Sequence, residues 1–266
     1  MEPASSRESV NNHLEIDHSE HFPTLVNAPI VEAILHWQAV ATTSYFDGDY
    51  IAELAAEFPQ YEVHLQHNLT TGIQGSDKGI TINHSNVVQG ARILKRNQSG
   101  EIEFACQFLR NGIIFSKLAP YYDWNSFLTQ AKEIWKHFEA VAKPSEISQL
   151  ATRYISQIPI NSAQDSDQYT GSNCAPLSTL GLSANSFYHQ DSFVLRNNPY
   201  GINVVRAAQT SPDGKNSLVI DISAYTTTKL TNIENTDPVI SDLRYIKNKV
   251  FFSLMTNPEQ NFGGTS

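Results

Sequence analysis

The sequence predicts an α+β fold: antiparallel sheet in two related halves, each covered on one face by one long amphipathic helix. Three observations carry this expectation. Segments of period-two alternation recur along the chain, the signature of half-buried strands. Two stretches, 123–142 and 237–255, have the apolar spacing of long helices, and the order of strand-like segments followed by such a helix occurs twice. At 266 residues, one large domain or two fused half-domains can each bury most of the unfolded surface.

Residues 1–21 hold Glu2, Glu8, Glu15, Asp17 and Glu20 against Arg7 and almost no large apolar side chains, so they read as a flexible tail. The first strand is Ile30-Val31-Glu32-Ala33-Ile34-Leu35-His36-Trp37, entered through Pro29. A short helix follows over 49–58, with Ile51, Leu54, Ala55 and Phe58 on one face and Pro59 ending it. Strands are expected at 61–67, 79–94 and 102–108, with breaks at 72–77 and 98–100 marking hairpins. In the last of these, Ile102, Phe104, Cys106 and Phe108 share a face opposite Glu103 and Gln107.

Asp123 is a good N-cap for the first long helix, whose stripe of Trp124, Phe127, Leu128, Ala131, Ile134, Trp135, Phe138 and Val141 is wide enough to cover a sheet. Pro144 stops it, and a strand over 147–160 closes a β-α-β-β-β-α-β module spanning 22–160. Residues 161–186 are rich in Ser, Asn and Gly and read as a linker or long loop. The second module, 187–255, has strands at 187–195, 201–208 and 218–225. Its helix is expected to be capped by Asp237 with Pro238 at the first helical position, and its face is Val239, Leu243, Ile246, Val250 and Leu254. Residues 256–266 read as a second flexible tail.

Eighteen basic against twenty-seven acidic residues give a net charge of −9, which opposes attraction to nucleic acid and anionic lipid. The chain has neither the basic start and apolar run of a signal peptide nor eighteen consecutive apolar residues, and its two cysteines, Cys106 and Cys174, have no metal-ligand spacing. A cytoplasmic protein without membrane contact is expected.

Motifs of chemistry fare poorly. His64 and His67 point to opposite faces of a strand, and His18 and His21 sit in the tail, so no metal is expected. The loop 72–79 lacks the Ser/Thr and helix of a phosphate cradle. There is no nucleophile elbow; Asp221, in Ile220-Asp221-Ile222-Ser223, is not followed two residues on by the lysine a metal nuclease needs, and Pro212-Asp213-Gly214 is itself a turn signal. No cofactor and no catalytic residue is expected.

Two charges stand among apolar neighbours: Glu32 in the first strand and Arg153 in Ala151-Thr152-Arg153-Tyr154-Ile155. Facing inward they must pair or line a polar groove, because an isolated buried charge is too costly; on an open sheet face they simply meet water. Glu32, Arg153 and Asp221 are the candidate binding residues.

At Asn27-Ala28-Pro29-Ile30-Val31-Glu32-Ala33 the chain resembles a sporadically distributed bacterial family of about this length. The resemblance continues through Phe115-Ser116 with Tyr122, Trp124 and Phe127, through Arg153-Tyr154-Ile155, and more weakly through Ile220-Asp221-Ile222 and the last helix. The family tends to have Asn where this chain has Ser156, and it carries no catalytic assignment to transfer. Its patchy distribution implies accessory roles such as phage defence or toxin–antitoxin modules.

The leading expectation is a non-enzymatic binding or regulatory protein. Its partner is another protein, encoded for example by a neighbouring gene, of which this chain would be the accessory or neutralising member in a defence or toxin–antitoxin locus. The alternative is an enzyme or small-ligand binder with its site in a groove between the halves. The lack of a local constellation leans against an enzyme, although sites assembled from distant strands leave no motif.

Overall fold

Alternation sorts the strand side chains onto two unlike faces, and the helices cover the apolar one. The computed structural model describes residues 14–43, 48–76, 79–171, 180–182, 184–211 and 213–265. The chain runs through β1 (Thr24–Leu25), β2 (Ile30–Gln38), α1 (Gly48–Glu57), β3 (Glu62–Ser76), β4 (Gly79–Arg96), β5 (Ile102–Leu109), β6 (Gly112–Leu118) and α2 (Trp124–Ala142). It continues with β7 (Gln149–Pro159), α3 (Ser166–Thr170), β8 (Phe187–Val194), β9 (Tyr200–Thr210), β10 (Asn216–Thr226), α4 (Asp237–Leu254), α5 (Pro258–Phe262) and β11 (Gly264–Thr265). The fold is α+β.

Nine strands form one antiparallel sheet in the order β3-β4-β5-β6-β2-β7-β10-β9-β8, and β1 with β11 makes a separate ribbon. The central seam joins β2 to β7, with Ala33 opposite Tyr154 and Trp37 opposite Leu150. Ala33, Leu35 and Trp37 of β2, Phe104, Cys106 and Phe108 of β5, and Leu218, Ile220 and Ile222 of β10 are buried in one core. On this face Trp37 stacks on Trp135 of α2 at 5.5 Å and Phe115 meets Phe127 at 5.7 Å, while α4 packs on β7, β9 and β10. Phe58, just past α1, packs at 5.1 Å on His137 of α2 and closes the core over β5.

The helix over α2 is as expected: the Asp123 carboxylate accepts the Ser126 N–H at 2.8 Å, and Lys143 ends the helix in the left-handed conformation. Helix α4 differs at its start. Thr236 holds the cap position without a side-chain bond, so Asp237 lies inside the first turn, where its carboxylate reaches Lys132 of α2 at 2.5 Å. A salt bridge between the two helices holds Asp237 in place of a cap.

Four strands, not three, lie between α1 and α2. Sequence reading missed β6 because only Arg110-Asn111 separates it from β5, too short a turn to show as a polar break. Gly112 makes that turn possible: its φ is +137°, and a Cβ there would lie 1.9 Å from the Trp37 carbonyl oxygen. The expected break at 72–77 is also corrected. The β3–β4 ladder continues through Gly72 and Gly75 to Ser76, because backbone pairing needs no side chain; residues 77–78 lie outside the described residues.

Both expected tails are corrected where they are described. Leu14 and Ile16 pack against the core, the His18 ring contacts Asp242 at 2.8 Å, and the Glu20 carboxylate accepts from the Tyr245 hydroxyl and Lys249 Nζ, each at 2.5 Å. The segment has few apolar side chains, but Leu14 and Ile16 find the core and its Glu20 meets cationic and phenolic partners on α4. Residues 1–13 lie outside the described residues. At the other end, Phe262 of α5 is buried and stacks on Tyr169, and Gly264 and Thr265 pair with Leu25 and Thr24. The expected linker holds a 3-10 turn, Ala163–Asp165, and α3; residues 172–179, with Cys174, lie outside the described residues.

Candidate functional site in the cleft between α2 and α4

A cleft of about 470 Å³ opens on the helix-covered side of the sheet, a size usual for metabolite-scale ligands. Its walls are the start of α2 (Asp123, Trp124, Asn125) and α4 (Arg244, Lys247, Asn248, Phe251, Phe252); Tyr154 and Ser156 of β7 and Ile222 of β10 also line it, and residues 22–30 border it on the N-terminal side. Phe22 stacks on Phe252 at 5.4 Å and leans on Tyr245 at 5.6 Å, so the docked N-terminal segment forms part of the rim. The wall is aromatic and the cations come from one helix.

Arg244 and Lys247 are three residues apart on α4 and so lie on the same side of it. The Arg244 guanidinium stacks over the Trp124 ring at 5.0 Å, beside the first residue of α2. Lys247 is 6% exposed, and its Nζ lies 3.5 Å from the centre of the Tyr154 ring. Among the described residues neither cation has a carboxylate partner. Burial, with a smaller contribution from the nearby Arg244 charge, pushes the Lys247 amine down to about 7.

Tyr154 and Tyr121 share a hydroxyl–hydroxyl hydrogen bond of 2.7 Å. Burial pushes the Tyr121 phenol up to about 12 and Tyr154 well above its ordinary value, so both stay protonated. Among the described residues Asp123 is the one acid lining the cleft, and one of its oxygens is committed to capping α2. Trp124 and Asn125 are the first helical residues, whose N–H groups have no acceptor within a helix. Two cations, a helix N-terminus and an apolar body therefore converge on one space.

The three residues singled out from sequence lie on the opposite, uncovered face of the sheet, in neighbouring strands. Arg153 of β7 donates to Asp221 of β10 through Nε at 2.8 Å and Nη2 at 2.5 Å, a two-pronged ion pair across the strand pairing. Glu32 of β2 is close enough to add to the field on Arg153, but makes no ion pair among the described residues. None of the three lines the cleft. His64 lies 3.5 Å from Glu62, and among the described residues no group of three metal-ligating side chains forms.

Lys247 and Arg244 were missed. Lys247 follows Ile240 by seven residues and Leu243 by four, which places it on the buried stripe, and a lysine at that spacing was the available signal. Among the described residues no helix is long and apolar enough to cross a membrane. No family model, no curated protein and no solved structure matches this chain.

Proposed function

We propose that this chain is a small-ligand-binding protein that holds, in the cleft between α2 and α4, a metabolite-sized molecule with one anionic group and an apolar or aromatic body. The observation that carries the reading is Arg244, a guanidinium held beside the N-terminus of α2 and without a carboxylate partner among the described residues. A cation there is opposed by the helix dipole, whereas an anion between the two would be favoured by both and could accept the N–H groups of Trp124 and Asn125. Tyr121, Trp124, Phe251 and Phe252 supply flat apolar surface for the rest of the ligand.

Calorimetric titration of the full chain with phenyl phosphate and phenylacetate, against neutral phenylacetamide, tests this. The anions should bind and the amide should not, and Arg244→Met should weaken binding by about tenfold, the scale of one charge-assisted hydrogen bond. Equal binding of the amide, or an unaltered variant, would reject the reading.

Membership of the bacterial family belongs to the same proposal. Its support is that Ala28, Pro29, Ile30, Tyr122, Trp124 and Tyr154, all within the stretches that carry the resemblance, line the cleft. We also read the sheet as two related halves. In support, β2 lies beside β6 as β7 lies beside β10, and β6 and β10 each lead into a long helix. On that reading the ligand sits where the halves meet.

A protein partner is the second reading, favoured by strand β8. It ends the sheet, and Tyr188, Phe193 and Val194 on it are 65%, 55% and 68% exposed. An open edge with apolar side chains suits strand addition by a partner such as the product of a neighbouring gene. Co-purification with that product should be lost in Phe193→Asp, and retention would count against this reading.

A further inference from the structure

We infer that Lys247 is a nucleophilic amine that forms an imine with an aldehyde or ketone bearing an anionic group, bound with that group against Arg244. This rests on the ligand-binding reading of the cleft. The geometry is that of an amine held ready. Lys247 is buried, lines the cleft, and has no hydrogen-bond or ion-pair partner among the described residues apart from the Tyr154 ring face beside it.

A structural lysine normally carries its ammonium to water or to a carboxylate. Among the described residues Lys247 meets no carboxylate, and its 6% exposure leaves it little contact with bulk water. The charged and titratable groups that share the cleft are Arg244 on its own helix, Asp123 at the start of α2, Tyr121 and Tyr122 before that helix, and Tyr154 on β7. The one acid among them caps α2, the phenols of Tyr121 and Tyr154 stay protonated, and the neighbouring guanidinium disfavours a second positive charge. Desolvation plus a nearby cation is the setting that keeps a lysine neutral and nucleophilic near neutral pH.

The step balances without a further reactant. The Nζ lone pair adds to the carbonyl carbon as the carbonyl π pair moves onto oxygen, and one nitrogen proton passes to that oxygen to give a carbinolamine. The carbon–oxygen bond then breaks, the oxygen leaves as water with the second nitrogen proton, and a C=N bond remains. Nothing is oxidised or reduced. Arg244, three residues away, would hold the anionic end and fix which carbonyl carbon meets the amine.

The full-length protein is incubated with pyridoxal 5′-phosphate, an aromatic aldehyde carrying a phosphate, and the imine is fixed with sodium borohydride and mapped by peptide mass. Lys247 should be modified about tenfold or more faster than any other lysine. The rate should rise to half its maximum near pH 7. Lys247→Met should lose this adduct while staying folded, with a cooperative melt no lower than that of the parent protein, and Arg244→Met should slow adduct formation by about tenfold. Pyridoxine 5′-phosphate, the corresponding alcohol, separates the two readings. If it binds but Lys247 is labelled no faster than surface lysines, the imine inference alone is overturned; if neither compound binds, the cleft reading falls with it.

Discussion

The Nζ of Lys247 lies 3.5 Å from the centre of the Tyr154 ring. A lysine from α4 thus ends against an aromatic side chain of β7, and among the described residues no carboxylate meets it. Its burial has consequences for stability as well as for binding.

The first prediction follows from proton linkage. The Lys247 amine is pushed down to about 7 from an ordinary value of 10.5, so between those limits the unfolded chain binds more protons than the folded one. Stability therefore rises with pH across this window. The cost of burying the amine is absent above the upper limit, grows by about 1.4 kcal/mol for each pH unit lost, and is constant below the lower one. Lys247→Met should be the more stable protein near neutrality, with its advantage shrinking at about that slope toward high pH. Denaturant unfolding of both proteins across the window measures it, and a flat difference would mean that the amine titrates normally.

The Arg153–Asp221 pair should behave as a unit on the uncovered face. Arg153 is 45% and Asp221 13% exposed, so the pair is partly screened, and each of Arg153→Met and Asp221→Asn should cost about 1 kcal/mol. The double variant should cost little more than either single one. Ligand affinity in the cleft should be unchanged, because neither residue lines it. A double-mutant cycle with calorimetry checks both statements.

Leu243 is fully buried beneath α4. Leu243→Ala should cost about 2–5 kcal/mol in denaturant unfolding. A variant with unchanged melting and altered oligomeric size would instead place this side chain in an interface between chains.

Docking of the N-terminal segment should depend on acid. Hydrogen bonds from Lys249 and Tyr245 hold the Glu20 carboxyl below its ordinary value of 4.5. This hold is fully present above that ordinary value and is lost as pH falls through the lowered one. Hydrogen exchange should show residues 14–21 protected at neutral pH and opening in acid before the sheet does, and Glu20→Gln should open them already at neutral pH. Equal protection in wild type and variant would show that apolar contacts from Leu14, Ile16 and Phe22 suffice.

Local patterns made the elements legible. Strand β5 and helices α2 and α4 stand out because period two and period 3.6 put apolar groups on one side whatever they later meet. The Asp123 cap was legible for the same reason: its bond spans three residues. Arg153 and Asp221 could be singled out as charges among apolar neighbours, but not as partners, because they lie 68 residues apart and meet only when β7 pairs with β10.

The sequence by itself determined the α+β class, the long helices and most of the strands, since these follow from local periodicity and turn chemistry. Only the tertiary structure decided that β2 pairs with β7 into one nine-stranded sheet, that residues 14–21 dock on α4, and that Lys247 is buried beside Arg244 and Tyr154. On an isolated helix Lys247 would be solvated. Its loss of water, and with it the chemistry of the cleft, comes from surfaces brought together by long-range packing, which no short window of sequence contains.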